Sequence, residues 1–88
     1  MKKALAIKRN LDLLNEFMKY AFENPDVLEK IPPGAELIIL PFDDPELYEY
    51  NKKMADRLSS QGEEVVCVKM KMPKIPAPEI EIISASQG

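Results

Sequence analysis

A chain of 88 residues, 45% apolar and 31% charged, has room for one domain with a modest core, and its composition is that of a globular protein, not a disordered one. The formal charge is −3, from 12 basic and 15 acidic residues in mixed order, which favours solubility and argues against a general nucleic-acid binder. Histidine is absent and Cys67 is the single cysteine, so Ser-His-Asp and Cys-His nucleophilic sites, histidine zinc sites and an intramolecular disulfide are excluded.

No run approaches the roughly 20 apolar residues of a membrane span. The stretch from Ala4 to Ile7 is too short for a secretory leader and runs into Lys8 and Arg9, so the expected location is the cytoplasm. Residues 8–23 read as an amphipathic helix. Leu11, Leu14, Met18 and Ala21 form the stripe, Leu13, Phe17 and Tyr20 widen it, and Asn10 is a candidate N-cap. Asn24, Pro25 and Asp26 signal a restart, because Asn can cap, Pro suits the first helical position and Asp favours the positive end of the dipole. The short helix that follows, residues 25–30, is expected to pack Val27, Leu28 and Ile31 against the first.

Pro32, Pro33 and Gly34 read as a turn with Gly34 at positive φ. In residues 35–40 the unbroken run Leu37, Ile38, Ile39 and Leu40 predicts a strand covered on both faces, ended by Pro41. Asp44 as N-cap, Pro45 as first helical residue and Glu46 in the first turn open a helix of about 17 residues. Its stripe is Leu47, Tyr50 or Asn51, Met54 and Leu58, and Gly62 is placed as a left-handed cap. Residues 64–72 predict a second strand, buried around Val65 to Val68 and half exposed where Met70 and Met72 alternate with Lys69 and Lys71.

Pro73, Pro76 and Pro78 make a stiff connector to a short third strand, residues 79–82, with 84–88 as a loose tail. Paired antiparallel with the second strand, it would set Lys71 against Glu79, Lys69 against Glu81, Met70 against Ile80 and Val68 against Ile82, each pair worth a few tenths of a kcal/mol. The connector lets that pairing form within the chain or with a neighbouring chain.

The expected fold is therefore a single α/β domain over residues 1–88, in the order α-β-α-β with an optional last strand. A parallel βαβ unit forms a small sheet, and the N-terminal helix packs on one face.

Asp43, Asp44 and Glu46 are the candidate ligand or metal site, because they lie at the carboxyl end of a strand, and clustered carboxylates suit a hard cation. The same residues also read as a helix cap, a dipole partner and a solvated turn residue. Cys67, between two valines, reads as a packed thiol. Lys2, Lys3, Lys8 and Arg9 read as a solvated basic arm, or one that touches phosphate or an acidic partner. Tyr48 and Tyr50, two apart on a helix, are expected to split between core and surface, as are Tyr20 and Phe22. With Met70, Met72, Ile80 and Ile82, the tyrosines Tyr48 and Tyr50 form the candidate interface.

The stretch from Arg9 to Val68 resembles a family of small prokaryotic proteins known only as a domain of unknown function. The resemblance rests on Arg9, Asn10 and Leu11; on Asn24 through Leu28; on Ile31 and Pro32 with Gly34 and Ala35; on Leu40 and Pro41 followed by Asp43 through Leu47; and on Asn51 with Glu64, Val65 and Val66. It implies a compact soluble α/β domain and supplies no catalytic residues.

The expectation for function is a non-enzymatic interaction or regulatory protein with no cofactor, acting as a homo-oligomer or on a protein partner, without membrane or nucleic acid. The alternative is a carboxylate-based metal-binding or small-ligand-binding module, or an enzyme, centred on Asp43, Asp44 and Glu46.

Overall fold

The computed structural model describes residues 1–74, and they form a small α/β fold. Helix α1 (Lys3–Glu23) is followed by a single-turn helix α2 (Asp26–Glu29), strand β1 (Glu36–Pro41), helix α3 (Pro45–Ser60) and strand β2 (Val65–Met70). The strands pair in parallel, Glu36 beside Val65 through Pro41 beside Met70, so β1, α3 and β2 are the expected βαβ unit. The predicted third strand, its register against β2 and the loose tail lie outside the described residues, as do Ile80 and Ile82.

Local chemistry accounts for most element boundaries. Asp44 caps α3, accepting the Leu47 N–H at 3.2 Å, and Pro45 fills the first turn, where its missing N–H costs nothing. The helix ends in a Schellman motif: Gly62 N–H donates to Ser59 O, Glu63 N–H donates to Leu58 O, and Gly62 takes φ 85°. The Pro32–Gly34 turn forms as read, with Ala35 N–H donating to Pro32 O and Gly34 at φ 82°.

Pro41 does not stop β1; it is the last strand residue and is fully buried. The Glu36 N–H donates to Glu64 O and the Phe42 N–H donates to Met70 O. Even-numbered residues of β1 therefore face β2, and the nitrogen of Pro41 faces the other edge, where the ladder loses nothing.

Three further expectations are corrected. Helix α1 starts five residues early, because Lys3, Ala4, Leu5 and Ala6 are good helix formers and buried Ala6 anchors them. Asn10 is thus mid-helix, not a cap. Asn24 closes α1 instead of capping α2: its backbone N–H and its side-chain amide both donate to Tyr20 O. Val27 and Ile31 pack inward, but Leu28 is exposed.

The largest correction is the rotation of α1. Its buried face is Ala6, Leu13, Phe17 and Ala21, while Leu11, Leu14 and Met18 of the predicted stripe are exposed. The core lies on two sides of the sheet. On one, Ala6, Leu13 and Phe17 meet Ile39 and Leu47, with Val27, Ile31, Leu37, Tyr50, Val68 and Met70 around them. On the other, Ile38 and Leu40 meet Ala55, with Tyr48, Met54, Leu58 and Val65. The second strand is half buried along its length instead of buried at its start, and Cys67 is exposed. Among the described residues β2 pairs only with β1, and α3 packs mainly over β1.

Candidate functional site

The acidic start of α3 is drawn together as the sequence places it, and each carboxylate has its own partner within the fold. Asp44 caps the helix through Oδ1 and accepts from Arg9 Nη1 at 3.0 Å through Oδ2. Asp43 Oδ1 accepts the Met72 N–H at 2.8 Å, continuing the β1–β2 ladder one rung beyond its last backbone pair. Glu46 lies 3.4 Å from the α-amino group of Met1. Among the described residues no three acidic or cysteine side chains are disposed to share a metal ion.

The basic N-terminal residues are not a free arm. Lys3, Lys8 and Arg9 are on α1, Lys8 sits 3.5 Å from Asp12, and Arg9 ties the helix to the α3 cap. Lys52 pairs with Asp56 one turn on at 2.7 Å, and that hydrogen bond, followed by the carboxylate charge, raises its pKa above the usual lysine value.

An asparagine pair missed in the sequence joins the two long helices. Asn51, 2% exposed, donates through Nδ2 to Asn10 Oδ1 at 2.7 Å and to Ile39 O at 2.8 Å; Asn10 Nδ2 donates back to Asn51 Oδ1 at 3.1 Å. Ile39 is odd-numbered, so its carbonyl faces the outer edge of β1, and Asn51 satisfies that one buried acceptor on the edge. The signal available was phase: Asn10 falls in step with Ala6, Leu13 and Phe17, and Asn51 in step with Leu47 and Ala55.

The candidate interface residues divide. Tyr50, Met70 and Met72 pack against the α1-side core, and Tyr48 packs against the α3-side core, so both tyrosines are half buried instead of split between core and surface. Tyr20 and Phe22 are both exposed. A groove of about 600 Å³ runs between the second half of α1 and β2, lined by Phe17, Tyr20, Val27, Val68 and Met70 with Glu16 and Lys69 at its margins.

The larger apolar surface lies on α1 itself. Ile7, Leu11, Leu14, Met18 and Phe22 follow one another at steps of four, three, four and four, which is one face of a helix. All five are exposed, Leu11 at 61% and Phe22 at 83%, and exposed Leu28 of α2 continues the surface beyond Phe22. Scattered apolar side chains on a surface are ordinary; a contiguous row of six is not.

No described helix is long and apolar enough to cross a membrane. Residues 6–80 match the model of a family of unknown function, DUF5647. No curated protein and no solved structure matches the chain.

Proposed function

This chain belongs to the DUF5647 family of unknown function, a membership that brings no activity with it, and we propose that the protein works without catalysis, as a small interaction or regulatory protein acting through oligomerisation or a protein partner. The exposed apolar row on α1 carries this reading. Its side chains are long and flexible (Leu, Ile, Met) with one aromatic, a composition suited to adaptable protein contacts. It contains no charged residue that would order a phosphate, and the chain is acidic overall.

The test is capture by the tagged full chain from a lysate of the source organism, at low and high salt, with nucleic acid assayed in the eluate and Leu11→Glu run alongside. The expected result is association with itself or with a stoichiometric protein that survives high salt and is lost in the variant. Recovery of the wild type as a lone monomer, or equal capture by the variant, overturns the reading.

A further inference from the structure

We propose that the partner of this face is a second copy of the same chain, the two α1 helices packing antiparallel about a two-fold axis beside Leu14. The inference rests on the interaction reading above and names its partner.

The face is self-complementary. With the axis next to Leu14, Leu11 of one copy meets Met18 of the other, Ile7 meets Phe22, and Leu14 meets its own counterpart. This is the isologous contact that two-fold symmetry requires. The short Ile7 side chain falls opposite the long Phe22, so the row fits against its reversed copy without two large groups colliding.

Charge selects the same direction. The first half of α1 and its approach carry exposed Lys2, Lys3 and Lys8 with Asp12 beside Lys8, a positive balance, whereas the far end carries exposed Glu23, Asp26 and Glu29 with Lys30, a negative one. Antiparallel packing sets the basic end of each copy beside the acidic end of the other. Parallel packing sets like charges together, which costs affinity and selects against that arrangement.

The area reaches the range of a small specific dimer. The exposed parts of Ile7, Leu11, Leu14, Met18 and Phe22 amount to roughly 500 Å² per copy, so a pair that covers the row fully would bury about 1,000 Å², the lower bound expected of a specific interface.

The test is sedimentation equilibrium of the full chain from about 1 to 200 μM, for wild type, Leu11→Glu and Met18→Lys, with circular dichroism showing that both variants stay folded. Both positions are exposed in the protomer, so folding should survive. A wild-type dimer is expected, with each substitution raising the dissociation constant about 100-fold or more, since it acts twice across the axis.

Direction is read by oxidising a mixture of Leu11→Cys and Met18→Cys chains, each carrying Cys67→Ser. Antiparallel packing gives the 11-to-18 mixed disulfide, and parallel packing gives 11-to-11 and 18-to-18. A parallel pattern, or a dimer that both charged variants leave intact, overturns the proposal. So does a wild-type monomer at every concentration, including one whose α1 face is covered by its own residues 75–88. If that monomer still captures a protein that Leu11→Glu loses, the interaction reading stands without the dimer. If it captures none, both fall.

Discussion

Replacing Asn51 with Ala tests how the helices are held over the edge of β1. The substitution removes three hydrogen bonds at once, at 2.7, 2.8 and 3.1 Å, and leaves the Ile39 carbonyl and the Asn10 amide without partners. A typical internal hydrogen bond contributes about 0.5–1.5 kcal/mol net, and an orphaned buried group costs about 1–3 kcal/mol. Asn10 is only half buried and can recruit water, so the orphaned carbonyl dominates and the expected loss is about 2–4 kcal/mol. A domain of this size has about 5–10 kcal/mol in total, so the effect is a large share of its stability.

Urea unfolding of the full chain should show it as a midpoint lowered by about 2 M or more at a slope near 1 kcal/mol/M, with the slope unchanged. Asn51→Leu keeps the volume and still orphans the carbonyl, so it should also destabilise. Asn10→Ala should cost less, and the double variant should cost little more than Asn51→Ala alone, because the two residues share their bonds. An Asn51→Ala midpoint within about 0.3 M of wild type would refute the account.

Asp44→Ala should cost about 1–2 kcal/mol through loss of the cap, whereas Asp44→Asn, which keeps the cap and loses only the Arg9 charge pair, should cost less than about 1 kcal/mol by the same urea assay. Gly62→Ala should cost about 1–2 kcal/mol even though no atom lies within 4 Å of the added Cβ, because the penalty comes from φ 85° and not from a clash; Gly62→Asn should recover part of it. Cys67 should react stoichiometrically with an aromatic disulfide reagent in the native protein; labelling that needs denaturant would contradict its exposure. Because Asp43, Asp44 and Glu46 are each engaged with a different group, millimolar Mg²⁺ should leave the melting temperature unchanged in wild type and in Asp43→Ala alike, and a rise in wild type alone would return the acidic helix start to consideration as a cation site.

What the sequence made legible was chemistry that acts within a few residues. The cap by Asp44 with Pro45, the turn through Gly34, the Schellman ending at Gly62 and the parallel βαβ unit all follow from neighbours in the chain. What it concealed depends on surfaces brought from a distance. Cys67 looks buried in its run of valines, but it is exposed, on a stretch of β2 that α3 does not cover. The carboxylates look like a cluster, but Arg9 and Met72, 35 and 29 residues away, supply partners for Asp44 and Asp43 that spacing could not reveal. The expected strand of residues 79–82 lies outside the described residues.

The rotation of α1 was illegible for a further reason. The helix carries two apolar rows about 100° apart, one through Leu13, Phe17 and Ala21 and one through Leu11, Leu14 and Met18, and hydrophobicity alone ranks the second at least as high. The two described strands cover only one of them. The choice falls to the row that contains Asn10. Turning α1 by one residue to bury Leu11 and Leu14 would carry Asn10 away from Asn51 and leave the amide of Asn51 unpaired on that side. A buried polar pair of this kind sets the phase of two helices at some cost in apolar burial. Here the cost is visible: Leu11, Leu14 and Met18 remain outside, together with Ile7 and Phe22, as a row that one copy of the described fold leaves uncovered. The asparagine contact that sets the phase of α1 in the core is thus also the one that leaves this row facing outward, where the proposed second copy would meet it.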